Sequence, residues 1–208
     1  MSTLIIWDWD NTLMNTRPAV TAGLQDVCCF YQLPDITPAD VLNVMTNHRG
    51  DFWQRNFGEN VPQAIARYVE YYRSHMDMVK PFNQTLSVLN FIRSLNLPQI
   101  ILSNKNHESL VEEVKRHQLD EYFKVIQGTN GPLGKPDVAF VEPHLNLFKP
   151  ERIILIGDGV SDMLMAQNLN AEAILVHQPD NTLPHHHYCE NLSDVLSVLK
   201  TLLSQTTD

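Results

Sequence analysis

Apolar and polar positions change rhythm twice along the chain. Residues 4–7, Leu-Ile-Ile-Trp, form a short unbroken apolar run of the kind shown by a strand covered on both faces. Between about 16 and 80 the spacing is helical. A first helix is expected over 18–31, with Val20, Leu24, Val27 and Cys28 on one face and Pro34 stopping it. A second starts at Thr37-Pro38-Ala39-Asp40, where Thr37 suits an N-cap, Pro38 the first turn and Asp40 the positive helix end. Its pattern stops in a polar loop at 46–50. A third helix is expected over about 60–78, with Ile65, Tyr68, Val69 and Tyr72 along one stripe. From Pro81 onward helices and strands alternate. Helices are expected over 84–95, 107–118, 138–147, 162–169 and 192–203, and strands over 100–102, 123–126, 152–156 and 173–176. Strands separated by helices imply an α/β fold, a parallel sheet with helices on both faces.

Ligands of open parallel sheets bind beyond the C-terminal strand ends, and four of these ends carry chemistry. Asp8 and Asp10 follow the first strand, Ser103, Asn104 and Lys105 the second. Lys135 lies in the glycine-rich loop after the third, and Asp158 and Asp162 follow the fourth. Taken singly, each is an ordinary solvated turn. The pair Asp8 and Asp10 is more pointed, because Asp is depleted in strands and carboxylates this close repel unless a cation sits with them. One such carboxylate can attack phosphorus while the other passes a proton to the leaving oxygen, and both suit a hard cation such as Mg2+. Asp-x-Asp alone also occurs in glycosyltransferases.

Composition narrows the partners more than the fold. A net charge of -9 over 208 residues argues against nucleic acid as the main partner. It leaves room for a phosphorylated substrate, which a few local cations and a metal can hold. No signal peptide is expected, since the run at 4–7 is short and lacks a basic flank, and no apolar stretch reaches membrane-spanning length. Cys28 and Cys29 are adjacent and Cys189 stands alone, so no disulfide framework and a reducing cytoplasm are expected.

The four segments, in this order, resemble the four motifs of the haloacid dehalogenase superfamily of phosphatases. Asp8-Trp9-Asp10-Asn11-Thr12 is similar to the first motif, Ser103 to the second, Lys135 to the third, and Asp158 with Asp162 to the fourth. Asn11 and Asn170 stand where the family often has Gly, and Asn is the next-best residue for a left-handed conformation. The resemblance, closest to phosphoglycolate-phosphatase-like members, implies a Rossmann-like sheet of strand order 5-4-1-2-3. It implies a catalytic core of residues 1–15 and 81–208 and a helical cap of residues 16–80. It implies Asp8 as nucleophile, Asp10 as acid and base, Ser103 and Asn104 holding phosphoryl oxygens, and Lys135 neutralising charge. Mg2+ would sit on Asp8, the Asp10 backbone carbonyl and Asp158, with Asp162 orienting metal-bound water or Lys135. The expected activity is hydrolysis of a small phosphorylated metabolite by a monomer or homodimer, with no nucleic-acid or membrane partner. Asp10 favours ester cleavage over dehalogenation, because an alkoxide needs a proton to leave and a halide does not. A sugar-phosphate mutase on the same core, or a silent binding or regulatory protein, are the alternatives. In the cap, His48 and Arg49 are the expected specificity residues, with Arg49 suited to a bidentate clamp on a carboxylate or phosphate.

The remaining clusters read as structural. His185, His186 and His187 suggest a solvated loop, and Glu108, Glu112 and Glu113 a solvated helix face. Met163 and Met165 suit core filling, and Tyr68, Tyr71 and Tyr72 packing within the helical block.

Overall fold

The computed structural model describes residues 2–45, 49–178 and 182–204, and within them all side chains except those of residues 43 and 49–51. The chain opens with β1 (Thr3–Trp7) and the short β2 (Met14–Asn15). It continues through α1 (Arg17–Phe30), α2 (Pro38–Met45), α3 (Arg49–Phe57) and α4 (Val61–Ser74) to β3 (Lys80–Pro81). Then come α5 (Thr85–Ser94), β4 (Gln99–Asn106), α6 (His107–Arg116), β5 (Val125–Thr129) and α7 (Glu142–Phe148). The chain closes with β6 (Arg152–Gly157), α8 (Val160–Asn168), β7 (Glu172–Val176), β8 (His187–Cys189) and α9 (Leu192–Ser204). Two compact units result, Met1–Met14 with Pro81–Asp208, and Asn15–Lys80.

In the first unit β1 lies inside a six-stranded sheet of order β5-β4-β1-β6-β7-β8, with every pairing parallel. Leu4 and Ile6 join one buried cluster with Ile100, Leu102, Leu155 and the α8 residues Met163, Met165 and Ala166. Their neighbours Ile5 and Trp7 are equally buried, so both faces of β1 are covered and its sequence is apolar without alternation. The polar edge of Trp7 is satisfied inside this core: Nε1 donates to Gln99 Oε1 at 3.0 Å, and Gln99 Nε2 donates to the Leu89 carbonyl at 3.1 Å.

The α/β class is the expected one, and the strand order differs in detail. The run 5-4-1-2-3 is present as β7-β6-β1-β4-β5, but β8 adds a sixth strand beside β7. The histidine run is therefore no free loop. His187 opens β8, and His186 donates its backbone N–H to the Ala173 carbonyl at 3.0 Å while its Nδ1 accepts from Ala173 N–H. A three-residue edge strand, His-Tyr-Cys, is too short to show a hydrophobic period by which to find it. The helix end at Asn170 is left-handed, φ 49°, with Asn170 N–H on the Gln167 carbonyl and Ala171 N–H on that of Ala166. That is a Schellman ending built on Asn instead of Gly.

The second unit packs α1, α2, α3 and α4 around Val20, Leu24, Val27, Val41, Phe52, Trp53, Phe57 and Ala64. Thr37 and Asp40 cap α2 reciprocally: Thr37 N–H donates to Asp40 Oδ2 at 3.0 Å, and Asp40 N–H to Thr37 Oγ1 at 3.2 Å. Helix α3 corrects the expectation of a polar loop over 46–50 followed by no element until 60: Arg49 and Gly50 already belong to the helix, and 46–48 lie outside the described residues. Its sequence, RGDFWQRNF, mixes Gly, Asp and Asn with three aromatics, so helix propensity is poor and burial of Phe52, Trp53 and Phe57 supplies the drive. Tyr68 and Tyr72 pack against this core, while Tyr71 stacks on His75 at 4.0 Å. Among the described residues no helix is long and apolar enough to cross a membrane.

Candidate active site

Backbone pairing runs one residue past β1, where Asp8 N–H donates to the Ile156 carbonyl at 2.9 Å. The chain then turns tightly. The N–H groups of Thr12, Leu13 and Met14 all point to the Trp9 carbonyl, at 3.4, 3.2 and 3.1 Å, and Asn11 takes a left-handed φ of 56°. Asn tolerates this conformation better than other non-glycine residues. The loop leaves Asp8 buried and Asp10 partly exposed.

On one side of β1 the chain adds β4 and β5, and it returns to the other side with β6. The strand order thus reverses between β1 and β6, the position where such sheets bind ligands. Asp8 and Asp158 follow these two strands. Together with Asp162 in the first turn of α8, they bring one carboxylate oxygen each within 4.8 Å of one another.

Lys135 arrives from the loop after β5 and is buried between two of the carboxylates. Its Nζ donates to Asp8 Oδ1 at 2.6 Å and to Asp162 Oδ1 at 2.5 Å. Asp162 Oδ2 accepts from Gly159 N–H at 3.1 Å, so Asp162 is held from both sides. Burial opposes the charge on Lys135, but Asp162 and Asp8 outweigh it and hold the ammonium above its ordinary pKa. Burial pushes the Asp8 carboxyl up to about 7; Lys135 opposes this, while Asp162 and Asp10 add to it. Asp158 is raised well above its ordinary value, first by desolvation of its carboxyl and then by the charges of Asp8 and Asp162.

Gly157 is required by this packing. A Cβ there would lie 2.3 Å from Asp162 Cγ, and Asp162 cannot retreat without releasing Lys135 or Gly159. Gly157→Ala should therefore lower kcat by about 100-fold, the scale of an ångström of misplacement in a catalytic group. Steady-state kinetics with a circular-dichroism check of folding measures it. Unchanged kcat in the folded variant would show that Lys135 does not depend on Asp162.

The β4 end was expected to stop at 102 but continues to Asn106, with its register against β5 shifted between Leu102 and Asn106. Such an irregularity re-aims side chains. Ser103 is buried and its Oγ accepts from Lys105 N–H at 3.2 Å. The Asn104 side chain ties down the Lys135 loop: Oδ1 accepts from Lys135 N–H at 2.7 Å and Nδ2 donates to the Lys135 carbonyl at 3.1 Å. A Cβ at Gly134 would meet Asn104 Oδ1 at 2.6 Å, so the clamp needs glycine there.

The site contains more than the sequence reading named for it. Lys105 Nζ donates to Asp10 Oδ1 at 3.0 Å and is also ion-paired with Glu113. Glu108 and Glu112 are exposed as expected, but Glu113 is fully buried, which corrects the solvated-face reading. The signal was present in the helical spacing, since Leu110, Glu113 and Val114 form the buried stripe of α6. The expected specificity residues are a different case. His48 lies outside the described residues, and Arg49 opens α3 with its side chain not described.

The donor set can be tested against a divalent cation. Asp8, Asp158 and Asp162 offer hard oxygen ligands, and one buried cation, Lys135, faces them. Burial first, and like charge after it, raises the Asp8 and Asp158 carboxyls, and a hard divalent cation among these oxygens would offset both.

Known proteins resemble this chain in sequence and in fold. A phosphoglycolate phosphatase of Caulobacter vibrioides is 24% identical over 217 residues, spanning 96% of this chain and 92% of its own length. Pyrophosphatase PpaX of Halalkalibacterium halodurans is 23% identical over 176 residues, spanning 83% of this chain and 82% of its own. Among solved structures, a haloacid dehalogenase-like family hydrolase from Streptococcus pneumoniae has the same fold, with a TM-score of 0.84 and 18% identity over 95% of this chain and 98% of that one. The family model described as haloacid dehalogenase-like hydrolase matches residues 5–176. That match runs from within β1 to the end of β7 and takes in the ends of β1, β4, β5 and β6, so the chain belongs to the haloacid dehalogenase-like hydrolases.

Proposed function

We propose that this protein is a Mg2+-dependent phosphomonoesterase that hydrolyses a small phosphorylated metabolite through an aspartyl-phosphate on Asp8. The observation that carries the reading is the cluster at the strand-order reversal, where buried Lys135 bridges Asp8 and Asp162 beside Asp158. In the first half-reaction an Asp8 oxygen bonds to phosphorus, the phosphorus–oxygen bond to the leaving group breaks, and Asp10 gives that oxygen its proton. In the second, water attacks phosphorus and yields its proton to Asp10. The bond to Asp8 breaks and inorganic phosphate departs, with both carboxyls restored. Ser103 Oγ and the Asn104 backbone N–H hold phosphoryl oxygens, and Lys135 favours the ionised form of Asp8 against its burial and neutralises charge as it spreads over the transferring group.

Asp8, Asp158 and the Asp10 backbone carbonyl are the groups to hold Mg2+, whose contribution when bound is to neutralise phosphoryl charge. Asp162 bonds Lys135 and the Gly159 N–H, and we assign it to orienting Lys135. We assign substrate choice to the helical unit, with His48 and Arg49 as the residues that select the substrate. Three free thiols suit a reducing compartment, and the cytoplasm is the one we infer. The relatives named phosphoglycolate phosphatase and pyrophosphatase make phosphoglycolate and pyrophosphate the first compounds to try.

A panel of phosphate esters scored for released phosphate tests this function. Hydrolysis of at least one small ester is expected, whereas interconversion of sugar phosphates with little free phosphate would favour the mutase. Chelation should remove the activity and Mg2+ restore it. Ca2+ should restore it poorly, because its larger and looser coordination shell misplaces the nucleophile. Full turnover in metal-free buffer would contradict the roles given to Asp8 and Asp158.

A further inference from the structure

The acid and base Asp10 is held by a pair of residues behind it. Lys105 Nζ lies 3.0 Å from Asp10 Oδ1 and is also ion-paired with Glu113. The side chain of Lys105 is 12% exposed and that of Glu113 is 0% exposed. A buried carboxylate costs stability unless it is paired, and an apolar residue at 113 would simply extend the stripe of Leu110 and Val114. Packing alone therefore gives no reason for Glu113. Lys105 has a reason to be fixed, because it sits on the irregular end of β4, where the register no longer sets side-chain direction.

We propose that Lys105 is the positioning residue for Asp10 and that Glu113 anchors it. Glu113 holds the ammonium from α6, and the ammonium donates to Oδ1 of Asp10. A donor on Oδ1 leaves Oδ2 to carry the acid proton, so one oxygen of Asp10 is committed to the protein and the other to the leaving group and then to water. This inference rests on the phosphatase reading of Asp10.

The test is the single-turnover rate of Asp8 phosphorylation. It compares the fastest alkyl phosphate from the ester panel with para-nitrophenyl phosphate, whose leaving group needs little protonation. In Lys105→Met the alkyl-to-aryl rate ratio should fall by on the order of 100-fold, the lower range of what a placed general acid contributes. The single variant leaves the Glu113 charge buried, so its melting temperature should drop as well. Lys105→Met/Glu113→Gln removes that charge and should recover the melting temperature without recovering the ratio. Equal losses for both esters, or a ratio restored together with stability, would show Lys105 to be structural and overturn the proposal. A wild-type protein phosphorylated by neither ester would instead overturn the phosphatase reading itself.

Discussion

Asp8→Asn is expected to lower turnover by on the order of a millionfold, as loss of a covalent nucleophile does in other enzymes. A carboxamide cannot attack phosphorus and is a weaker ligand for a hard cation. The fold should survive. Burial already pushes the Asp8 carboxyl up to about 7, so its charged form is costly where it sits and a neutral isostere suits the space. The variant also loses an acceptor for Lys135, but Asp162 still holds that ammonium at 2.5 Å. Phosphate release and thermal melting measure the two effects separately. In the wild type, rapid acid quenching during turnover should leave phosphate on the peptide that contains Asp8. Near-wild-type turnover of the variant, with deamidation excluded by mass spectrometry, would end the covalent mechanism.

Lys135→Met should lower kcat by about 1000-fold, the upper range for removing one preorganised electrostatic stabiliser. KM should change less, because the charge that Lys135 neutralises grows as the phosphoryl group moves. Stability should fall too. The buried ammonium links Asp8 and Asp162, and breaking such a pair leaves uncompensated charge at a cost of about 3–5 kcal/mol. Added Mg2+ should return part of the stability, since it neutralises the same carboxylates, but not the rate. Lys135→Arg keeps the charge in a larger planar group that the site has not been built around, and should rescue stability better than kcat. A Lys135→Met variant with wild-type kcat would remove Lys135 from the chemistry.

Much of the core was legible because burial leaves a periodic mark. The unbroken apolar run at 4–7 announced a strand covered on both faces, the run at 153–156 announced a second strand, and β1 and β6 are the adjacent strands on whose ends Asp8 and Asp158 lie. Thr37 and Asp40 announced the start of α2 by chemistry local to one turn. Where burial comes from distant partners instead, the pattern was silent. Helix α3 is held by Phe52, Trp53 and Phe57 against a core built by other helices, and β8 by backbone bonds to β7.

The site divides along the same line. The sequence by itself determined which residue types stand at each strand end and in what order, because strand, turn and helix start are neighbours along the chain. Asp8 with Asp10, Ser103, Lys135, and Asp158 with Asp162 could all be named from it. Only the tertiary structure decided how these groups share charge. Lys135 between Asp8 and Asp162, the Asn104 clamp on the Lys135 backbone, and Glu113 behind Lys105 each join different elements of the fold. The physical reason is that a carboxylate or ammonium reads the same in a sequence whether water or an opposite charge compensates it. Burial against a specific partner, a three-dimensional property, decides which.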